Sequence, residues 1–334
     1  MPIPEAKRPA VDRALTAAFG TTEMDSAKPL TGGLSGASVY RIRVGGIAYL
    51  LRIEGARDDF RDPGRWYGCM GAAAAAYIAP RVRYADAADG VAIMDFIEEQ
   101  SLVLDYRGTR ADLIVEAAQT IRALHETPAF PPLIDYMDGM DGLIGVFQAS
   151  GLIAPAAVEE LFARYAVLRA GYRTAEGDRV SSHNDLNPRN ILYDGGRLWL
   201  VDWESSFLAD RYVDLATLAN VFAHTPEEEA LLATTYFGQA PTAERQARLY
   251  LMRQINQVFY GVILLNGVAA ECPDLRETSL EAPSLAEIHQ ALGTGDFALE
   301  TWRGRLAYGK ARLNAALDGL RSARFPEALA LVAA

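Results

Sequence analysis

Apolar and polar positions alternate with period two over residues 38–53, SVYRIRV-GG-IAYLLRI. The Gly45-Gly46 pair between the two runs predicts a hairpin closed by a two-residue turn. Residues 91–97, VAIMDFI, predict a further strand. The pattern then changes period. Residues 66–78 and 111–127 predict helices, the second with Leu113, Ala117, Ile121 and Leu124 on one face. Beyond residue 155 helical spacing dominates, over 156–170, 212–223, 243–265 and 285–320. One interruption reads differently: 190–193 (NILY) and 197–202 (RLWLVD) are short apolar strands around Asp194-Gly195-Gly196, a tight-turn signal. Strands first and helices afterwards predict an α+β chain in two lobes. The expected parts are a small, mainly β N-terminal lobe over 1–98 and a larger, mainly α C-terminal lobe over 99–334.

Length and charge narrow the picture. The 334 residues are enough for more than one ordinary domain. The net charge of −11 argues against nucleic acid as a partner, because phosphate backbones require concentrated Lys and Arg. It is compatible with a cationic small molecule. Cys69 and Cys272 are far apart and lack metal-site spacing, so no disulfide framework or zinc site is expected. The start, Met1-Pro2-Ile3-Pro4-Glu5, has no secretory pattern. The longest apolar stretch, 258–270, is interrupted by Gly261, Asn266 and Gly267 and is too short to span a bilayer. A cytoplasmic protein with no membrane partner is expected; the oligomeric state is not legible.

The candidate chemistry lies at 183–202. His183-Asn184-Asp185-Leu186-Asn187-Pro188-Arg189-Asn190 has the His-x-Asp-x-x-x-x-Asn layout that places a base and a metal beside a phosphoryl group. Asp185 suits a group that orients an acceptor hydroxyl and takes its proton. The amide oxygen of Asn190 and the carboxylate of Asp202 are hard donors suited to Mg²⁺. A turn at 194–196 puts Asn190 opposite residue 199 to 201, with Asp202 beside it at the open end. Taken singly, His183 is a structural histidine and Asp202 a strand-end carboxylate; with the hairpin between them, the phosphoryl-transfer reading prevails. His183 is then a scaffold of the loop, not a proton carrier.

Over most of its length, and most specifically from Val180 to Leu218, the chain resembles the aminoglycoside phosphotransferase and choline kinase superfamily. The resemblance implies a two-lobed protein-kinase-like fold, ATP and Mg²⁺ as cofactors, Asp185 as catalytic base, and Asn190 and Asp202 as metal ligands. Protein kinases usually carry Lys two residues after the base; Asn187 here implies a small-molecule acceptor. Asp214 matches an Asp that braces the catalytic loop, its alternative being a helix N-terminal carboxylate. Thr31-Gly32-Gly33-Leu34-Ser35 resembles a phosphate-covering loop, with Gly32, Gly33 and Ser35 as nucleotide contacts. A plain turn is the alternative. Arg52 stands where the superfamily has its phosphate-binding cation, and strand alternation puts it on the face opposite Tyr49, Leu51 and Ile53. Asp95, Phe96 and Ile97 match the segment whose backbone pairs with adenine.

One element of the pattern is missing. The helical Glu that usually pairs with the cation should fall near Tyr67, where no carboxylate stands, leaving Asp58, Asp59 or Asp62 as substitutes. Asp202-Trp203-Glu204 resembles the choline-kinase-like branch. Glu204 would face a cationic head group or a second Mg²⁺, or else form a salt bridge with Arg189 or Arg211. Trp302, Tyr308, Phe259 and Tyr260 are candidates for an aromatic cage, with core packing as the alternative. The expected function is ATP-dependent phosphorylation of a small-molecule hydroxyl, a choline- or ethanolamine-type amino alcohol first. An aminoglycoside or other small acceptor is the alternative, and a kinase-fold nucleotide-binding protein with little catalysis is the second alternative.

Overall fold

The computed structural model describes residues 3–30, 36–58, 60–102 and 104–333. In chain order the elements are α1 (Arg8–Phe19), β1 (Ser26–Leu30), β2 (Ser38–Val44), β3 (Ile47–Ile53), α2 (Pro63–Ala75), β4 (Val82–Asp86), β5 (Val91–Asp95) and α3 (Arg110–His125). There follow α4 (Tyr136–Ser150), α5 (Pro155–Gly171), β6 (Arg179–Ser182), β7 (Ile191–Tyr193), β8 (Leu198–Leu200), β9 (Phe207–Asp210), α6 (Arg211–Phe222) and α7 (Pro226–Phe237). The chain ends with α8 (Ala243–Glu271), α9 (Leu285–Thr294), α10 (Trp302–Arg321) and α11 (Arg324–Ala333). The N-terminal region is an antiparallel sheet and the C-terminal part is helical. Two compact units form. The first comprises residues 1–133, 180–214 and 221–238, and the second 134–179, 215–220 and 239–334.

In the first unit five antiparallel strands run in the order β1-β2-β3-β5-β4. The β2–β3 turn is Gly45-Gly46, with φ of 57° and 78°, a left-handed pair that side-chain-bearing residues rarely adopt. Alternation then sorts the faces. Tyr40 and Ile42 of β2, Tyr49, Leu51 and Ile53 of β3, and Val91 and Ile93 of β5 pack on Val11, Ala14 and Leu15 of α1. Each such aliphatic burial contributes about 1.5–3 kcal/mol. The opposite face therefore carries Arg52. The helix expected over 66–78 starts earlier, because Asp62 accepts from Gly64 N at 2.9 Å and Pro63 fits the first turn.

Residues 180–202 belong to the same unit. β7 and β8 pair with Ile191 opposite Leu200, so Asn190 faces Val201, whose N–H donates to Asn190 O at 3.0 Å. The turn is tied by Asp194, which accepts from Gly196 N, Arg197 N and Trp199 Nε1 at 2.8, 2.9 and 2.7 Å. The hairpin joins the N-terminal region through Leu200 N, which donates to Ile78 O at 2.9 Å.

The second unit is built around α8, on which α4, α10 and α11 pack. The stretch of helical spacing over 285–320 forms two helices, α9 and α10. Gly295, at φ 79°, ends α9, and Thr301 caps α10 by accepting from Gly304 N at 3.0 Å. Among the described residues no helix is long and apolar enough to cross a membrane.

Candidate active site

The loop after β6 is held from below by one carboxylate. Asp214 is fully buried; its Oδ1 accepts from Asn184 N at 2.9 Å and its Oδ2 from His183 N at 2.8 Å. His125 Nε2 lies 3.1 Å from Oδ2 and its Nδ1 lies 2.6 Å from Tyr236 Oη. Burial alone would raise this carboxyl, but the hydrogen bonds from His125 and His183 N–H hold it below the ordinary range. Asp214 thus braces the loop instead of capping its own helix, where Asp210 accepts from Tyr212 N at 2.9 Å. His183 is also buried, its Nε2 3.0 Å from Val201 O and its ring 4.7 Å from that of Trp203.

Asn184 sits at φ 63°, and its side-chain amide donates to Ser205 O at 3.0 Å. This left-handed residue turns the chain so that Asp185 is half-buried, not fully enclosed. Asn187 Nδ2 donates to Asp185 Oδ1 at 3.1 Å while its own Oδ1 accepts from Arg189 N at 3.0 Å. Asn190 Nδ2 donates to Asp185 O at 2.8 Å and to Asp185 Oδ2 at 3.2 Å, leaving the amide oxygen as the hard donor. Asn187, a departure from the protein-kinase pattern, also holds the carboxylate. Asp202 follows β8 at φ 65°, a second left-handed residue at the open end of the hairpin.

Arg52, 7% exposed, is the centre of the charge arrangement. Its Nε binds Glu54 Oε1 at 2.8 Å, its Nη1 lies 3.5 Å from Asp202 Oδ1, and its Nη2 pairs with Glu204. Trp66 presents its ring 4.9 Å from the guanidinium carbon. Tyr67, at the position where a helical carboxylate was sought, donates its hydroxyl to Glu54 Oε1 at 3.1 Å. Burial, and then the Glu54 charge, push that phenol well above its usual value. The helix therefore supports Arg52 through a tyrosine, and the carboxylate comes from the strand's own end. The loop acids do not substitute. Asp58 accepts from Phe60 N and Arg61 N at 3.0 and 2.7 Å, Asp62 caps α2, and Asp59 lies outside the described residues.

Glu204 pairs with Arg52, not with Arg189 or Arg211. Its backbone oxygen is also held, by Arg65 Nη2 at 2.7 Å; Arg65 further donates to Phe60 O at 2.6 Å and to Ser206 O. Arg65 was not anticipated, since nothing in Arg65-Trp66-Tyr67 marks it as a clamp. Asp95 ends β5 with its carboxylate on Arg83 (2.6 and 3.1 Å) and its N–H on Arg81 O at 2.9 Å. Phe96 lies under the Arg41 guanidinium, 4.5 Å from its carbon. Gly32, Gly33 and Ser35 lie outside the described residues. Trp302 opens α10 in the second unit, its ring 4.4 Å from the Arg303 guanidinium carbon.

Comparison with known proteins fits this arrangement. Protein LicA of Haemophilus influenzae is 45% identical over 58 residues, which is 17% of this chain and 21% of LicA. A choline/ethanolamine kinase family protein from Mesorhizobium loti superposes with a TM-score of 0.70 at 20% identity, covering 98% of this chain and 99% of that one. The gentamicin complex of APH(2'')-IIa gives 0.60 at 13% identity, covering 97% and 98%. At these identities the structural likenesses establish the protein-kinase-like fold. The profile described as the phosphotransferase enzyme family matches residues 26–250, and the chain belongs to that family.

Proposed function

We propose that this phosphotransferase is an ATP- and Mg²⁺-dependent kinase of a small-molecule hydroxyl, working in the cytoplasm. The observation that carries the reading is the convergence of Asp185, Asn190 and Asp202 on one loop and hairpin, with Arg52 paired to Asp202. Residues 1–98 would hold the nucleotide, with Arg52 on its phosphates and the backbone of 95–97 along the adenine edge. Because the N–H of Asp95 is already engaged by Arg81 O, Phe96 and Ile97 would carry most of that pairing. Gly32, Gly33 and Ser35 would cover the phosphates. Residues 99–334 would supply the catalytic groups and the acceptor contacts.

Asp185 would accept the proton of the acceptor hydroxyl as its oxygen bonds to the γ-phosphorus. The bond from that phosphorus to the β–γ bridging oxygen breaks, and ADP leaves. Asn187 and Asn190 fix the orientation of the Asp185 carboxylate, and Asp214 fixes the backbone before it. The residues assigned to Mg²⁺ offer hard donors: the Asn190 amide oxygen and the Asp202 carboxylate come from the open end of one hairpin, where Val201 N–H donates to Asn190 O, and Glu54, Asp202 and Glu204 outnumber the single charge of Arg52. When bound, the ion would neutralise charge on the donor phosphates.

A choline- or ethanolamine-type amino alcohol is the first acceptor to test, supported by the Asp202-Trp203-Glu204 run, with Trp302 as a proposed contact and Glu204 held on Arg52. Aminoglycosides come next. The carboxylate partners of Arg52 support the catalytic reading over a nucleotide-binding protein with little catalysis. The test is thermal stabilisation by ATP with and without Mg²⁺, then ATP consumption over choline, ethanolamine, thiamine, homoserine and aminoglycosides. Absence of Mg²⁺-dependent stabilisation would overturn the cofactor assignment. ATP binding with no turnover of any hydroxyl compound would favour the non-catalytic reading.

A further inference from the structure

The described buried cations of this protein are compensated, with one exception. Arg52 has its carboxylates, Arg248 has Glu244 at 2.9 Å, Lys310 has Glu277 at 2.7 Å, and Arg65 has three backbone carbonyls. Arg312, 6% exposed, has none of these. Its Nη1 donates to Gln257 Oε1 at 2.8 Å and its Nη2 to Tyr308 Oη at 2.6 Å, both neutral, and its Nε has no hydrogen-bond partner. Among the described residues no carboxylate lies within 4.0 Å of it. A guanidinium removed from water without an opposing charge is strongly unfavourable, so the group is poised for an anion.

Its surroundings are organic in character. The Arg312 guanidinium carbon lies 4.8 Å from the Tyr308 ring centre and 5.5 Å from that of Tyr260. Tyr260 continues through Phe259 (5.1 Å between ring centres) to Tyr136 (5.9 Å), and Tyr308 through its hydroxyl to His289 Nε2 at 3.0 Å. These rings are half-buried, so the cluster reaches solvent. The two walls are locked together, because α8 and α10 meet glycine to glycine. A Cβ on Gly261 would lie 2.7 Å from Leu313 Cδ2, and one on Gly309 would lie 2.8 Å from Leu265 Cγ. Gln257 and Tyr260 on one helix are thus fixed against Tyr308 and Arg312 on the other. The two tyrosine faces that could have caged a quaternary ammonium already face a cation, which makes the cluster hostile to a second one.

We propose that Arg312, with Gln257, Tyr260 and Tyr308, forms a binding site for the oxyanion of a small organic ligand, a carboxylate or a phosphate ester. The guanidinium fork matches either group in a bidentate manner, and the aromatic rim accepts the carbon skeleton attached to it. The site lies within the second unit and does not depend on the phosphotransferase reading.

The test is thermal unfolding of the full chain without nucleotide, at constant ionic strength. Glycolate, glycerol phosphate, inorganic phosphate and choline chloride are titrated against a sodium chloride control. The expected result is a rise in Tm of about 2 °C or more that grows with oxyanion concentration, with no rise for choline. Arg312→Met should abolish the rise while unfolding no earlier than the wild type in chloride, since it removes an uncompensated charge. A response to glycolate alone assigns a carboxylate, and one to glycerol phosphate beyond inorganic phosphate assigns a phosphate ester. An oxyanion response no larger than the chloride or choline control overturns the site, as does one retained by Arg312→Met. The wild-type titration decides by itself should the variant not fold.

Discussion

Replacing Asp214 by Asn isolates what one buried carboxylate does for the catalytic loop. The carboxylate receives three donors, two of them backbone N–H groups of His183 and Asn184. Asparagine offers one oxygen and one NH₂ group, so in either orientation a donor faces a buried N–H. One charge-assisted hydrogen bond is lost, about 1.5–3 kcal/mol, and one buried N–H is orphaned, about 1–3 kcal/mol. Relief of the carboxylate's own desolvation offsets part of this, so the expected loss is about 3 kcal/mol, read from urea unfolding at pH 7. Turnover should fall as well, because Asn184 holds its left-handed conformation against Asp214 and immediately precedes Asp185. The KM for ATP should change little, since Arg52 is untouched. Acid titration supplies an independent reading. The folded-state pKa of Asp214 is depressed, so its contribution is complete above the unfolded carboxylate range near ~4 and is lost as pH falls through the folded value. The variant should show a shallower loss of stability between about pH 5 and the acid limit than the wild type. A cost below ~1 kcal/mol together with unchanged turnover would refute the bracing role, because it would mean that the two N–H groups find water equally good.

Three further outcomes follow from the site geometry. Asp185→Ala should lower kcat by roughly 10²–10⁴-fold with the KM for ATP preserved, and turnover at the wild-type rate would remove the proposed base. Glu204→Gln should raise the KM for ATP more than that for the acceptor, because its carboxylate is paired with Arg52; a selective rise in the acceptor KM would instead put Glu204 on a cationic head group. Tyr67→Phe removes the hydroxyl that steadies Glu54 and should raise the KM for ATP several-fold while shifting stability by about 1 kcal/mol; identical kinetics would show that Glu54 needs no helical support.

What could be read beforehand and what could not divides along physical lines. The hairpin at 190–202 was legible because its causes are local: a Gly-Gly turn, two short apolar runs, and a register that only places Asn190 near residue 201. The sorting of β3 was legible for the same reason, since period-two burial decides which side Arg52 leaves. Its partner does not come from the helix. Glu54 stands two residues after Arg52, the spacing that returns a strand to the same face, while the helical position of the family pattern is filled here by Tyr67. Helical spacing over 285–320 was legible, but the break between its two helices was not, because the spacing continues on either side of the left-handed Gly295. Glu204 shows where local reading ends. Asp202-Trp203-Glu204 is the same three residues whether Glu204 meets a ligand, Arg189 or Arg52, and only the approach of β3 to that run selects among them. The same holds for Arg312 and Tyr308, four residues apart on one helix face: the sequence puts them together, but that no carboxylate among the described residues lies within 4.0 Å of Arg312 is a property of α8 and α10 packed against each other.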